Sequence, residues 1–453
     1  MAVTSETSVC CSLKKCDFDK KISCQDEPRV EVNTFISEKS ARESLRKYNE
    51  FLVAWGTNGD ATFHQSCWES ILKAARCRNR KRSPYPQMKD VEKTWVKEAA
   101  KTAEFFDSLN KIRIEATRIV KLIKQCSHCV VFTGAGISTS AGIGDYRGKN
   151  GKWTKEDQRM ENAMQAEIES EEDSSLTEPP TKRVKKQLIK PEETEASTSE
   201  EDEVCYEELR PTYTHEAIQK LMELGYIKHV ISQNCDGLHC LSGVPAQALS
   251  ELHGNVFTEV CEKCQKRYHR PFYVMDDTAS AYYEELADFG ETDVVKPAHA
   301  SQCKLCGLSH RTGRQCMQRG CNGYLRDTII NFRDNLEEDI LSRATEQCQK
   351  RDLMLCLGTT LTVTPASNLV QITGHPHRIV ICNRQKTHMD KECLKTGPDG
   401  KALGSRVFGD CDVLMRIVMK ELMSVAELSM WEQGRDDRLA EYAKNRSLKV
   451  EKT

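Results

Sequence analysis

The sequence predicts an α/β protein: a Rossmann-like parallel sheet with an inserted small zinc-binding module and a helical N-terminal arm. Three observations carry that prediction. Short apolar runs recur, and each ends in a Gly, Asn or Thr turn. Helical patterns fall between those runs. Paired cysteines crowd one stretch, between Cys261 and Cys321. Buried-type strands alternating with helices build parallel sheets, whose ligands bind at the carboxyl ends of the strands.

The elements follow in order. The N-terminal arm, 1–110, opens on a polar stretch containing Cys10, Cys11, Cys16 and Cys24, and 40–76 reads as helical and charged. So does 88–125, where Ile112, Ile119, Val120 and Ile123 give one apolar face. Cys129-Val130-Val131-Phe132 is a buried strand running into Thr133-Gly134-Ala135-Gly136 and a helix start. Residues 155–209 are rich in Glu, Asp, Ser, Thr and Pro and read as a disordered acidic insertion. Order resumes with a helix at 215–224, then the strand Ile227 to Ser232 before Gln233-Asn234-Cys235-Asp236-Gly237. A zinc module is expected over 256–330. Leu353 to Leu357 is a strand ending at Gly358-Thr359-Thr360, and 378–382 is another ending at Asn383. A closing helix spans 413–428, which ends a catalytic domain of 111–428 and leaves a tail at 429–453.

The 453 residues carry a formal net charge of −2, which gives no global steering toward nucleic acid or membrane. No apolar run is long enough for a bilayer span, and 1–26 lacks the apolar core of a secretory signal, so a soluble intracellular protein without membrane contact is expected. Twenty-two cysteines in such a chain favour metal binding over disulfides. Two basic clusters stand out. One is Lys182-Arg183-Val184-Lys185-Lys186, patterned like a nuclear import signal, and the other includes Arg78, Arg80, Lys81 and Arg82. They suggest a nuclear or nucleolar address and contact with chromatin or nucleic acid.

Glycines after a strand let backbone approach phosphates closely, so Gly134, Ala135, Gly136 and Ser138 are cofactor candidates. Gly142-Ile143-Gly144-Asp145-Tyr146-Arg147 adds an arginine suited to pyrophosphate. His253, in Glu251-Leu252-His253-Gly254, is a base candidate, because histidine alone titrates near neutral pH without perturbation.

Gly134 to Trp153, Gln233-Asn234-Cys235-Asp236-Gly237-Leu238-His239 and Glu251-Leu252-His253-Gly254 together resemble the sirtuin family, over about 111–422. Cys235, the run Leu325-Arg326-Asp327-Thr328-Ile329, and Thr312-Gly313-Arg314 ahead of Cys316 resemble its class IV branch. The resemblance implies an NAD-dependent protein-lysine deacylase that releases nicotinamide and an O-acyl-ADP-ribose, with histones or other nuclear proteins as acyl-lysine substrates. It implies His253 as base and Asn234 as a second catalytic group. It implies a cofactor shell of Gly134, Ala135, Gly136, Ser138, Thr139, Asp145, Tyr146, Arg147, Trp153, Gln233, Asn234, Asp236, Gly358, Thr359, Thr360, Asn383, Gln385 and Cys411. The sequence departs from the family at Gly144, where proline is usual, and at Phe332-Arg333-Asp334, where many members have Phe-Gly-Glu. Two other readings stay open: transfer of ADP-ribose to protein, and a chromatin or nucleic-acid scaffold with weak catalysis.

Cys261-x-x-Cys264 is half of a four-thiolate site suited to structural Zn²⁺. Placement before the Leu-Arg-Asp run, as in the family, favours Cys316 and Cys321 as the other half. Cys303 and Cys306 are the alternative pair. In the arm, Phe63-His64-Gln65-Ser66-Cys67-Trp68 resembles the second half of some zinc fingers. A second zinc there is the alternative to free thiols.

Overall fold

The computed structural model describes residues 8–34, 38–144, 205–275, 301–372, 378–398, 400 and 402–446. The basic cluster at 182–186 and nearly all of the acidic insertion lie outside them.

The N-terminal region is a folded module rather than a helical arm. It contains β1 (Ser8–Cys10), β2 (Lys21–Ser23), β3 (Arg29–Asn33), α1 (Glu38–Lys47), β4 (Asp60–His64), α2 (Gln65–Arg76), α3 (Asp90–Ala99) and β5 (Glu104–Phe106). β1 and β2 pair as an antiparallel ribbon, and β3 lies between β4 and β5 in an antiparallel sheet. The helical reading of 40–76 therefore fails over β4, and that of 88–125 fails over β5. In β3 and β4 alternate residues, Val30, Val32, Ala61 and Phe63, turn inward, the period of a half-buried strand. They meet Trp68 and Ile71 of α2, Trp95 of α3, and Phe51 and Trp55. The aromatic rings interlock, with Trp55 and Trp95 edge-to-face at 5.7 Å.

The second and larger body begins at α4 (Leu109–Gln125) and β6 (Cys129–Thr133). It continues through α5 (Tyr213–Glu223), β7 (Ile227–Ser232), α6 (Leu238–Leu241) and β8 (Leu249–Glu251). After an insert come α7 (Glu338–Lys350), β13 (Leu353–Leu357), β14 (Ile379–Cys382), α8 (Asp390–Cys393), β15 (Ser405–Val407) and α9 (Cys411–Leu422). The insert contributes β9 (Thr258–Cys261), β10 (Arg267–His269), β11 (Arg311–Gln315) and β12 (Tyr324–Asp327), an antiparallel sheet of order β10-β9-β12-β11.

The main sheet has six parallel strands in the order β15-β14-β13-β6-β7-β8. Every residue of β6, β13 and β14 is buried, as sheets covered on both faces require. One face packs on α4, α5 and α9. The other packs on α7, α8 and the turn at Ala366–Gln371. α4 starts where Ser108 accepts the Lys111 amide at 3.3 Å, and it points Ile112, Ala116, Ile119, Val120 and Ile123 inward. Each buried isoleucine there contributes about 2 kcal/mol.

The chain runs from β6 outward through β7 to β8, then returns to place β13 on the other side of β6. That reversal opens a crevice at the carboxyl ends of β6 and β13, where ligands bind in such sheets.

The closing helix at 413–428 breaks at Met423. α9 ends at Leu422, and α10 (Val425–Gln433) starts afresh on a Ser424–Glu427 capping box. α11 (Arg435–Lys444) lies in the expected tail. It packs Tyr442 on Leu238 and Leu241, so the ordered fold reaches past 428.

Candidate active site

At the crevice two loops touch backbone to backbone. The Gly136 amide donates to the Gly358 carbonyl at 2.8 Å, and the Gly134 amide donates to the Leu357 carbonyl at 3.1 Å. A Cβ on Gly136 would lie 2.7 Å from the Gly358 Cα, and one on Gly134 would lie 2.8 Å from the Gly358 carbonyl oxygen. Gly358 itself sits at φ +63. Any side chain here would force the loops apart. Beyond Gly134 the chain makes two 3₁₀ turns, Ala135–Ile137 and Thr139–Ala141, where sequence reading expects a helix. The candidate phosphate donors are therefore turn amides, without a long helix dipole behind them.

Gly136, Thr139, Gly358, Asn383, Gln385 and Cys411 line one cavity, together with Arg384, Gly409 and Asp410. Asn383 donates to the Gln385 backbone carbonyl at 3.2 Å and its side-chain oxygen at 3.1 Å, which fixes both amides at the end of β14. Cys411 is buried at the start of α9. Thr359 donates to Gln233 Oε1 at 2.9 Å, tying the β13 loop to the β7 loop. Thr360 lies beside it, 2.9 Å from Thr362 by their hydroxyl oxygens. Arg384, which sequence reading omits, also lines the cavity, its Nε donating to Asp410 Oδ1 at 2.6 Å.

The β7 loop supplies the next group. Ser138 donates to Asp236 Oδ2 at 2.6 Å, and Asn234 Nδ2 donates to Ser138 Oγ and to the Gly134 carbonyl, both at 3.2 Å. Asp236 Oδ1 also accepts the Leu238 amide at 2.9 Å. Asn234 and Asp236 are thus buried and held from several sides.

His253 lies past β8. Its Nδ1 is 2.9 Å from the Gln233 carbonyl oxygen. A carbonyl can only accept, so Nδ1 carries the proton and Nε2 keeps its lone pair. Burial pushes the His253 pKa down, more than that hydrogen bond raises it, so the imidazole is neutral at pH 7. A neutral imidazole with a bare Nε2 is a competent general base.

The insert fixes the far side of this histidine. The Ile330 amide donates to the His253 carbonyl at 3.1 Å, and Thr328 Oγ1 accepts the Asn255 amide at 3.0 Å. Gly254, at φ +83, passes so close that a Cβ would overlap the Thr328 carbonyl. Asp145, Tyr146, Arg147 and Trp153 lie outside the described residues.

Cys261, Cys264, Cys316 and Cys321 gather with their sulfurs within 4.8 Å of one another. Cys261 to Cys321 and Cys264 to Cys316 are each 3.6 Å. Edges of a tetrahedral zinc–thiolate site are about 3.8 Å, so the donor set fits Zn²⁺. A Cβ on Gly323 would lie 2.6 Å from the Cys261 sulfur, so glycine there leaves room for the convergence. Cys303 and Cys306 do not share this cluster. They gather instead with His310 and Asp334, the latter drawn from the Phe332-Arg333-Asp334 departure. The spacing Cys306-x-x-x-His310 was the available signal for that second group.

Residues 134–365 match the family model described as Sir2 family. The chain is 35% identical to the Arabidopsis thaliana NAD-dependent protein deacetylase SRT1 over 291 residues, 64% of this chain and 47% of that one. It is 30% identical to the NAD-dependent protein deacetylase sirtuin-7 of Bos taurus over 409 residues, covering 88% and 80%. To the human sirtuin-7 it is 33% identical, covering 73% and 65%. The chain spans about half the length of the plant relatives it matches. The glycine crevice, the buried Asn234–Asp236 loop and the His253 loop all fall within the matched span, and the chain belongs to the Sir2 family.

Proposed function

We propose that the chain is an NAD-dependent protein-lysine deacylase acting on acyl-lysine side chains of nuclear proteins, histones among them. The observation that carries the reading is His253, neutral and half-buried, with Nδ1 committed to the Gln233 carbonyl and Nε2 left to take a proton. A hydrolase that used a serine or cysteine nucleophile would need this base beside such a group. Cys235 instead directs its sulfur to the His253 carbonyl at 3.2 Å, and burial pushes its thiol up to about 12.

The glycine cradle, with no room for a Cβ, fits the close approach of a dinucleotide pyrophosphate. NAD would bring an electrophilic ribose C1′ with nicotinamide as leaving group, and the acyl oxygen of the substrate would be its partner. Gly134, Gly136 and Gly358 then let the pyrophosphate come close to the backbone, while their own amides bond the Leu357, Gly358 and Cys382 carbonyls. Asn383, Gln385 and Cys411 line the adenosine end. Asn234 and Asp236, locked by Ser138, orient the ribose and nicotinamide. His253 Nε2 takes a proton from a ribose hydroxyl. Most of this is positioning, which needs rigid groups more than reactive ones. Cys261, Cys264, Cys316 and Cys321 would hold one structural Zn²⁺, and the Thr328 and Ile330 contacts carry that rigidity to the His253 loop.

Nuclear residence and chromatin contact rest on the two basic clusters, of which Arg78, Arg80, Lys81 and Arg82 lie exposed at a 3₁₀ turn of the N-terminal module. The test is mass spectrometry of products from NAD and a panel of acyl-histone peptides. Deacylated peptide with an equal amount of nicotinamide supports the reading. ADP-ribose mass appearing on protein, with the acyl group intact, replaces it with ADP-ribosyl transfer.

A further inference from the structure

The N-terminal module holds a second set of metal-ligand side chains, far in sequence from the insert. Cys11 and Cys16 come from the connection between β1 and β2. His64 closes β4 and forms the N-cap of α2, and Cys67 lies in the first turn of that helix. The four ligand atoms lie within 4.8 Å of one another. Cys16 Sγ is 3.5 Å from His64 Nδ1 and 3.6 Å from Cys67 Sγ, and Cys67 Sγ is 3.8 Å from His64 Nδ1. With Zn–S near 2.3 Å and Zn–N near 2.05 Å, a tetrahedral site has S···S edges of about 3.8 Å and S···N edges of about 3.5 Å. Sulfurs 3.6 Å apart are not disulfide-bonded, since that bond is about 2.05 Å.

The surroundings fit the same occupant. Cys11, His64 and Cys67 are buried, and Cys16 is half-buried. His64 makes no capping bond to its own helix, so its ring is free to serve the cluster. With Nδ1 turned to the sulfurs, its Nε2 lies 3.8 Å from Glu27 Oε1, on the side where a carboxylate steadies a metal-bound histidine. Cys67 stands in the first turn of a twelve-residue helix, where the dipole favours a thiolate. Cys10 and Cys24, equally close in sequence, stay outside the cluster.

We infer that Cys11, Cys16, His64 and Cys67 bind a structural Zn²⁺, independent of any ion in the insert. On binding, three thiols release their protons to solvent and His64 coordinates through the Nδ1 lone pair. The ion pins the β1–β2 ribbon to the corner where β4 enters α2. This stretch has few apolar anchors of its own, chiefly Leu13 and Ile22.

The test uses the full chain, purified with zinc, and counts zinc per chain by elemental mass spectrometry. Cys16→Ser and Cys67→Ser are each expected to lose one equivalent relative to the parent. Cys10→Ser and Cys24→Ser are expected to lose none. Zinc content unchanged in Cys16→Ser and Cys67→Ser overturns the site. A measurement on the parent chain covers the case where those variants do not fold. Under native conditions Cys16 should resist alkylation until a chelator is added, while exposed Cys10 reacts at once. Alkylation of Cys16 at the same rate with and without chelator overturns the site. So does a parent mass lighter by two hydrogens from a Cys16–Cys67 disulfide. His64→Cys with Co²⁺ should keep the equivalent and strengthen the thiolate-to-metal absorption.

Discussion

The parallel sheet and the inserted module are held together by different means. The sheet buries two continuous apolar layers, one on each face. The insert buries a cluster of Cys261, Tyr268, Cys316, Cys321 and Leu325, in which three of the five are cysteines. Even with Val256, Phe257, Val260 and Val274, the apolar residues buried in the described part of the insert are few against the ordering entropy of a four-stranded sheet. A body of that kind would fold on a metal held by its four cysteines, whereas the main sheet folds on its core. The His253 loop depends on both, because it hangs from β8 on one side and from Thr328 and Ile330 on the other.

The largest expected effect is loss of the insert. Cys261→Ser should lower the zinc count by one equivalent and leave insoluble or inactive protein, while circular dichroism keeps the sheet signal of the larger body. An active, soluble variant with an unaltered zinc count would erase the contrast between the two bodies.

Gly136→Ala comes next. Its Cβ would press on the Gly358 backbone at 2.7 Å, and neither loop has a flexible side chain to yield. NAD affinity should drop at least tenfold, with stability lower by about 1–3 kcal/mol. Calorimetry with NAD reads the first and urea unfolding the second. Unchanged NAD affinity would remove the glycine cradle from the site.

Acid acts on the sheet body through its buried histidines. Burial pushes His215 and His239 down to about 3 and His229 to about 4. Unfolded, they would bind protons below about pH 6.5, and folded they do not. Stability is therefore intact above that pH and lost progressively as pH falls toward 3–4. Glu251, raised to about 7 by burial, works in the opposite sense, but three histidines outweigh one carboxyl. Urea unfolding followed through Trp431, whose ring meets Tyr213 at 5.4 Å, should give a lower midpoint at pH 5 than at pH 7. An equal or higher midpoint at pH 5 would contradict the burial of neutral imidazoles.

The smallest effect is expected at Arg333, which holds φ +83 where many family members have glycine. Arg333→Gly should stabilise by about 1 kcal/mol or less, since glycine adopts this backbone freely but loses more entropy on folding. Thermal unfolding reads it, and a destabilised variant would mean that the arginine side chain outweighs its strained backbone.

The main strands were legible in sequence because fully buried parallel strands leave unbroken apolar runs, as in 129–132 and Leu353–Leu357. β4 and β5 were hidden inside helical readings. They are three to five residues long, too short to establish a period, and β5 turns a charged residue, Glu104, inward. α11 was invisible as part of the fold because its polar surface hides one buried residue, Tyr442. Of the candidate site, the glycines, Asn234, Asp236 and His253 could be picked from motifs. The locks that hold them could not. Ser138 reaches Asp236, and Thr359 reaches Gln233, across 98 and 126 residues of chain. The same holds for the cysteines, where spacing names candidates but only the fold sorts Cys303 from Cys316.

The most direct measurement of the central claim follows nicotinamide release by the parent chain and by His253→Tyr, with NAD and an acetyl-lysine histone peptide. The parent is expected to form nicotinamide, O-acetyl-ADP-ribose and free-lysine peptide in equal amounts. Its rate should fall with acid only at a pH below the ordinary histidine value of about 6.5, because burial lowers the His253 pKa. His253→Tyr should lose at least about 100-fold in deacylation. Undiminished deacylation in His253→Tyr, or nicotinamide release that ignores the acetyl group, would contradict the account.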